Sequence, residues 1–211
     1  MISSKKKTIT FLLVLEEKVP DVNFSLKNLP GSSKIDVVAR NILATFPCIS
    51  DFNVEYIAFF SKNNPASLTV TNLVSRQKPY DEIEIASLIK ESLKKNECPN
   101  SSNKSALEHF KWQSYKDANI FFKEIKEIYE SIFYLQENGE PFDDIIPKLQ
   151  TTDSCLFIFG GRHDISEGIE KIVYNIATSR VSLGSRSYLA STCITYVLFE
   201  LEKLEKNKPQ H

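Results

Sequence analysis

Three short glycine-containing segments could hold a small ligand with their backbone groups. Each follows a run of apolar residues, and they are YLQENGE (134–140), FGGRHD (159–164) and SLGSRS (182–187). A glycine just after a strand permits a sharp turn or a close approach between backbone and ligand. Each glycine taken alone is more often part of an ordinary turn. Three such segments in one half of the chain indicate a candidate ligand site.

The same segments lack the motifs of phosphate-binding loops. The sequence contains neither G-x-x-x-x-G-K-[ST] nor a G-x-G-x-x-G after its first strand-like run. A nucleoside triphosphate or a dinucleotide is therefore not the expected ligand. Cys193 follows the last segment, inside a helical pattern. It either fills the core as a small apolar residue or faces a ligand held by the preceding turn.

The elements that would position these segments alternate along the chain. Runs rich in β-branched and aromatic residues predict strands at 8–15, 54–60, 67–73, 132–135 and 155–160. Apolar residues at three- and four-residue spacing predict helices at 35–46, 81–95, 115–130 and from residue 187 onward. Ser33 and Asp36 have the spacing of a capping box for the first of these helices. We expect an α/β fold, a mostly parallel sheet with helices on both faces and ligands at the carboxyl ends of its strands.

Composition limits the classes of protein that remain. A chain of 211 residues with 42% hydrophobic content can bury a full core, so we expect one domain over 1–211. A net charge of −1 excludes a uniformly basic nucleic-acid binder but leaves room for a local basic patch. The four cysteines stand far apart and show neither the spacing of a metal site nor that of a disulfide framework. Free cysteines are typical of a reducing compartment, so we expect a cytoplasmic protein. The apolar run at 9–15 is too short to cross a membrane, and no membrane segment and no metal are expected.

Five segments of the sequence together carry a family resemblance. They are 24–40, 78–93, 133–140, 157–167 and 181–202, and the last, with S-L-G before Y-L-A-S-x-C-I, is the most specific. In order and character they resemble the TrmY family, the archaeal tRNA pseudouridine N1-methyltransferases of the SPOUT superfamily. The resemblance extends from about Leu26 to Leu201. It implies a C-terminal trefoil knot, an exception to the usual absence of knots. It also implies a homodimer and S-adenosyl-L-methionine as methyl donor.

The resemblance gives the three glycine segments one joint role, which is to hold the adenosine of S-adenosylmethionine. This cofactor carries no phosphate, so backbone amides and apolar side chains suffice to bind it. The cofactor-binding residues implied in this way are Leu135, Gly139, Gly160, Ser182, Leu183, Gly184, Leu189 and Cys193.

The implied reaction is methyl transfer to N1 of pseudouridine 54 in tRNA. Alignment of N1 behind the methyl group supplies most of the rate. Asp36 is a candidate acceptor for the N1 proton, although a carboxylate at a helix start is also favoured by the helix dipole alone. With Cys193 it forms the candidate catalytic pair. RNA contact is expected from Ser32, Ser33, Lys34 and Arg40, and from Arg180 and Arg186 if these two are more than ordinary solvated surface.

The last helical pattern carries an apolar stripe that is longer than a cofactor site needs. We expect it to pack partly on the sheet and partly on a partner subunit. The stripe consists of Ala190, Ile194, Val197, Leu201 and Leu204.

Several positions depart from the family pattern. The family has glycine-glycine-arginine where this chain has Ser33-Lys34 before Ile35, and aspartate where Asn28 stands. It has G-D-H at 161–163, where this chain has Arg162, and histidine where Thr192 precedes the cysteine. Lysine keeps the charge of arginine but loses its bidentate fork. Two alternatives therefore stay open, a SPOUT-fold RNA-binding protein without catalysis and a related methyltransferase that acts on pseudouridine in ribosomal RNA.

Overall fold

The computed structural model describes residues 6–46, 52–73, 79–97, 105–160 and 165–206. The strands in these ranges are β1 (Thr8–Lys18), β2 (Asn53–Lys62), β3 (Ala66–Thr71), β4 (Phe110–Ser114), β5 (Ser131–Pro141), β6 (Ser154–Gly160) and β7 (Ser179–Ser182). The helices are α1 (Ile35–Thr45), α2 (Glu82–Glu97), α3 (Ala118–Ile128), α4 (Phe142–Thr151), α5 (Glu167–Ile176) and α6 (Ala190–Lys206). A short 3-10 helix, Ser105–His109, precedes β4.

The seven described strands form one sheet in the order β4-β3-β2-β1-β6-β5-β7. Strand β1 is parallel to both of its neighbours, β2 and β6, and β5 is parallel to β6 and β7. Only the β2–β3 and β3–β4 pairs are antiparallel among the pairings described. The predicted mostly parallel α/β sheet is therefore confirmed.

Helices cover both faces of this sheet. Phe11 and Leu13 of β1 point into the core shared with α1, α2, α4 and α6, whereas Leu12 and Val14 point into the core shared with α3 and α5. All four side chains are at most 1% exposed. A strand that is buried on both faces has apolar residues at nearly every position, which explains the mostly apolar sequence from residue 9 to residue 15.

The sequence patterns missed β4, α4 and α5, because each of these elements has a weak or interrupted pattern. Strand β4 lies at the sheet edge and fully buries only Phe110. Helix α4 contains Pro147, a residue that usually ends a helix. Helix α5 fully buries only Val173.

The predicted capping of α1 by Ser33 is wrong. The N-cap of α1 is Lys34, which has left-handed backbone angles (φ 58°, ψ 36°) and makes no side-chain capping hydrogen bond. Ser33 is also left-handed, with φ 54°. A reciprocal capping box occurs instead at α2, where the Glu84 backbone N–H donates to Asp81 Oδ1 (2.8 Å) and the Asp81 N–H donates to Glu84 Oε2 (3.0 Å).

The apolar stripe of α6 packs within its own subunit. Ile194, Val197 and Leu201 are buried in the core that also contains α1, and the stripe's end residues, Ala190 and Leu204, pack against that core. A different side of α6 leaves Tyr196 38% and Phe199 58% exposed. Across the described ranges, we found no helix with both the length and the apolarity needed to cross a membrane.

Candidate functional site

The glycine segments predicted to bind a ligand lie at the carboxyl ends of three strands that are neighbours in the sheet. The prediction that 134–140 is a loop after a strand at 132–135 is wrong, because β5 continues to Pro141 and contains this segment. Strands β6, β5 and β7 run parallel in that order, so their carboxyl ends lie at one edge. Loops at this edge of an open α/β sheet commonly bind ligands. Residues 161–164 of the middle segment, including Arg162, fall outside the described residues.

Four residues near the end of β5 leave the strand ladder. Val181 of β7 pairs with Leu135 and again with Glu140, so residues 136–139 protrude from the sheet between these two pairings. We call residues 136–139 the excursion. Its last residue, Gly139, packs against the backbone of β7. A β-carbon at residue 139 would lie 2.6 Å from the Val181 backbone nitrogen, a distance that side chains do not reach. Glycine is therefore required here for close backbone approach.

Ser182 ties the end of β7 to this excursion. Its Oγ donates to the Glu137 backbone carbonyl (3.1 Å) and accepts from the Gly184 N–H (3.2 Å). Gly184 has φ 139°, a conformation that side-chain-bearing residues rarely adopt. A β-carbon at residue 184 would also approach the Tyr188 hydroxyl to 3.1 Å. The first and third glycine segments, 134–140 and 182–187, are thus joined by hydrogen bonds into one unit.

The other predicted cofactor residues differ in their surroundings. Leu135 and Leu183 are half-buried and pack against the core, whereas Leu189 is 66% exposed just before α6. Beside Gly160, the side chain of Ile165 occupies the space that a β-carbon would need. The glycine at residue 160 is therefore already explained by packing.

Cys193 lies in the first turn of α6, where its backbone N–H donates to the Leu189 carbonyl (3.0 Å). The residue is half-buried, and burial raises the pKa of its thiol to about 11, to which the negative charge of Glu137 also contributes. The thiol is therefore protonated at neutral pH. It is suited to packing or weak hydrogen bonding and not to nucleophilic attack.

The predicted RNA-binding and acidic residues meet at the start of α1. Arg40 Nη2 lies 3.7 Å from Asp36 Oδ2, and Arg40 Nε donates to Glu82 Oε1 of α2 (3.1 Å). This hydrogen bond, followed by the negative charges of Glu82 and Asp36, holds the pKa of Arg40 above its usual value despite some desolvation. Within the described part of the chain, the buried Asp36 Oδ1 accepts no hydrogen bond. A buried carboxylate oxygen without a protein partner is unusual, which marks Asp36 as a candidate functional residue.

The segment before α1 is folded by its own hydrogen bonds. Asn28 Oδ1 accepts from the Gly31 N–H (3.3 Å), and Ser32 Oγ donates to the Asn28 carbonyl (2.8 Å). A β-carbon on Gly31 would stand 2.5 Å from Asn28 Nδ2. An aspartate at residue 28, as in the resembling family, could accept the same bond, so this departure preserves the turn.

Of the two arginines that flank the last glycine turn, Arg180 lies on a different face of the sheet from Arg40. The Arg180 guanidinium lies 5.7 Å from the centre of the Tyr174 ring of α5, on the sheet face opposite to α1 and α6. Arg186 is exposed within the turn itself, as is Thr192 in the first turn of α6. Arg186 is therefore better placed than Arg180 to face a ligand of the turn.

A cluster of polar side chains behind the excursion was not predicted from the sequence. Glu170 Oε1 of α5 accepts from the Tyr134 hydroxyl and from Gln136 Nε2, both at 3.3 Å. Burial and then the Glu170 carboxylate raise the pKa of Tyr134. The Tyr174 hydroxyl donates to Gln136 Oε1 (3.0 Å). These residues come from different elements, so no local sequence signal could have grouped them.

Most of the chain matches one known protein family. A family model described as "Putative SAM-dependent RNA methyltransferase" matches residues 9–206. The chain belongs to this family. The match includes both the glycine turns and the start of α1, and it confirms the family resemblance in the sequence.

Relatives within this family support the same placement. The chain is 28% identical to the tRNA (pseudouridine(54)-N(1))-methyltransferase of Methanococcus aeolicus, with 92% of this chain and 98% of the relative covered. It is also 28% identical to the protein of that name from Thermococcus gammatolerans, with 92% and 97% covered. The fold is similar to that of Archaeoglobus fulgidus Nep1 bound to S-adenosylhomocysteine, with a TM-score of 0.59, 15% identity and coverage of 96% and 100%.

Proposed function

We propose that this protein transfers a methyl group from S-adenosylmethionine to N1 of pseudouridine 54 in tRNA, in the cytoplasm. The observation that carries the proposal is the joining of two glycine turns at the carboxyl edge of the sheet, in a chain that matches an RNA methyltransferase family from residue 9 to residue 206. The names of the similar archaeal enzymes supply the target base.

The cofactor would lie against the excursion of residues 136–139 and the turn after β7. There the Ser182–Glu137 hydrogen bond and the close approach of Gly139 to Val181 hold backbone groups in fixed positions. Such a preformed, mostly uncharged site suits an adenosine without phosphates. Leu135, Leu183 and Leu189 would supply its apolar contacts, and Gly160 would border it from the neighbouring strand.

The reaction would need alignment more than chemical assistance. N1 of the base attacks the methyl carbon, the carbon–sulfur bond breaks, and its electron pair stays on sulfur, which leaves S-adenosylhomocysteine. Proximity and orientation supply most of the acceleration. The N1 proton would pass to Asp36, and Oδ2 would be the accepting oxygen, because Oδ1 is buried. Cys193 would line the cofactor site as a protonated thiol.

RNA would bind across the segment before α1. Ser32, Ser33 and Lys34 stand at the start of that helix, and Arg40 follows in its second turn. Helices α1 and α6 pack together, and both begin on the side of the sheet where the glycine turns lie. A tRNA bound at α1 could therefore reach a methyl donor at the turn before α6.

We further propose a trefoil knot and a homodimer for this chain. The final strand, β7, lies on the outer side of β5 and not beside β6, which is compatible with threading of the C-terminal segment. Tyr188, Leu189, Tyr196 and Phe199 leave apolar surface exposed around the start of α6. Exposed apolar clusters of this kind often mark protein interfaces. This surface, and not the buried stripe of α6, is the proposed dimer contact.

The test compares two tRNA transcripts that differ in one base. One carries pseudouridine at position 54 and the other carries uridine, whose N1 is bonded to ribose and cannot accept a methyl group. Each is incubated with protein and methyl-labelled S-adenosylmethionine, and the nucleosides are analysed by mass spectrometry. We expect N1-methylpseudouridine from the first transcript only. Binding of cofactor and tRNA without methylation would instead indicate the non-catalytic alternative, and methylation of a pseudouridine-containing ribosomal RNA fragment alone would indicate the ribosomal one.

A further inference from the structure

Lys90, in the middle of α2, makes two contacts with the segment that precedes α1. Its Nζ donates to the backbone carbonyl of Phe24 (2.6 Å) and lies 5.4 Å from the centre of the Phe24 ring. The Phe24 side chain is only 6% exposed. One ammonium group thus holds both the backbone and the ring of the same residue, 66 positions away in the sequence.

Helix α2 contacts the proposed RNA-binding region at a second point. Glu82, at the start of α2, accepts the hydrogen bond from Arg40 of α1. Lys90 therefore fixes the chain before residues 25–34, and Glu82 fixes it after them. Between the two contacts, Leu29 is buried in the core, and Asn28 organises the turn at Gly31.

We propose that Lys90 is a positioning residue for RNA recognition, which it serves by fixing the geometry of residues 24–34. This inference rests on the proposed function. The ammonium is engaged by a carbonyl and a ring, so it acts through the segment and not by contact with a phosphate. A hydrogen bond from a charged donor is among the stronger protein hydrogen bonds. Its loss lets the segment sample other arrangements and weakens binding of a folded RNA.

The test uses Lys90→Met, which keeps most of the apolar stem and removes the donor. We expect the KM for tRNA to rise by about tenfold, as the loss of one charge-assisted hydrogen bond allows. The kcat should change less than about twofold, since an interaction lost equally from bound substrate and transition state alters KM alone. Cofactor affinity should stay at the wild-type value. Hydrogen exchange of residues 24–34 in the free protein should be faster.

Two further variants separate positioning from other roles. Lys90→Arg retains a charged donor and should restore much of the tRNA affinity. Lys94→Met removes an exposed lysine from the last turn of the same helix and should leave the KM near the wild-type value. If Lys90 touched a phosphate instead, its loss would lower the slope of log affinity against log salt by about one. We expect an unchanged slope for Lys90→Met.

Unchanged KM and unchanged exchange of residues 24–34 in Lys90→Met would overturn the inference, as would a lowered salt slope. Should this variant not fold, Lys90→Gln replaces it under the same criteria. If the wild-type protein methylates no tRNA, the proposed function fails, but hydrogen exchange and tRNA binding still decide the role of Lys90. The two proposals can therefore fail separately.

Discussion

Gly139 lies so close to Val181 that a β-carbon on residue 139 would stand 2.6 Å from both the Val181 backbone nitrogen and its carbonyl carbon. Backbone atoms cannot move aside as the end of a side chain can. We expect Gly139→Ala to lower stability by about 1–3 kcal/mol and to weaken S-adenosylmethionine binding by more than about tenfold, because the excursion must separate from β7. Urea unfolding measures the change in the free energy of unfolding, and calorimetry measures the change in cofactor affinity.

Gly168→Ala is the matched control for this substitution. No atom lies within 4 Å of a β-carbon built at residue 168, in the first turn of α5. Alanine should raise stability there by up to about 1 kcal/mol through helix propensity, with cofactor affinity unchanged. Equal cofactor affinities for Gly139→Ala and Gly168→Ala would show that the cofactor lies elsewhere.

Ser33 has left-handed backbone angles at a position where the resembling family has glycine. A non-glycine residue in this region costs roughly 1 kcal/mol, so we expect Ser33→Gly to stabilise the protein by about 0.5–1 kcal/mol. Ser32→Gly is the contrasting variant. It removes the hydrogen bond from Ser32 Oγ to the Asn28 carbonyl and should destabilise. Urea unfolding of both variants checks the prediction, and destabilisation by Ser33→Gly would contradict it.

Glu82 Oε1 accepts a 3.1 Å hydrogen bond from Arg40 Nε, so under the proposed function Glu82 would compete with RNA for the Arg40 guanidinium. Glu82→Gln keeps an amide oxygen that can accept the Arg40 hydrogen bond, so the segment stays fixed, but it removes the negative charge. The affinity for tRNA should rise by about two- to threefold, and the slope of log affinity against log salt should steepen by up to about one. Glu108→Gln, in the 3-10 helix beside the far edge strand, controls for the change in net charge. An equal gain in both variants would mean that Arg40 does not contact RNA.

The Cys193 thiol should titrate only at high pH, because burial raises its pKa to about 11. We expect slow alkylation by iodoacetamide near neutral pH and an alkylation rate that rises through about pH 11. Peptide mass spectrometry measures the extent of alkylation at each pH. A cysteine in the unfolded chain has a pKa near 8.5. The thiol's contribution to stability is therefore fully present below about pH 8.5 and is lost as the pH rises through about 11.

Comparison with Cys193→Ala isolates this contribution from those of other groups. Between about pH 8.5 and about pH 11, the wild type should lose more stability than the variant. Rapid alkylation near neutral pH would instead reveal a thiolate and contradict the raised pKa.

The proposed dimer depends on the exposed side of α6. Phe199 is 58% exposed, and Phe199→Asp should convert the protein to a monomer in light scattering at micromolar concentration. Ile128→Asp places the same charge on a comparably exposed residue of α3, 62% exposed on the opposite face of the sheet, and should leave the dimer intact. A monomeric wild type would remove the basis of this prediction.

The sequence predicted the mostly parallel sheet because apolar runs and amphipathic helices are local patterns. It also grouped the glycine turns at one edge, since parallel strands share their carboxyl ends. The excursion at residues 136–139 was beyond prediction, because it depends on the pairing of Val181 with both Leu135 and Glu140. The Lys90–Phe24 contact likewise joins distant segments. The predicted Ser33 cap is wrong because the N-cap of α1 is Lys34, which has left-handed backbone angles and makes no side-chain capping hydrogen bond.

The central position of β1 affects how the chain can be made. Thr8 of β1 pairs with Asn53 on one side and with Ser154 on the other. During synthesis, β2 to β4 leave the ribosome long before β6 does, so β1 can acquire its first neighbour while its other side stays open. An unpaired apolar strand is prone to association with other chains. The growing polypeptide must therefore be kept from aggregating until its second half arrives, and slower synthesis at low temperature lengthens that interval.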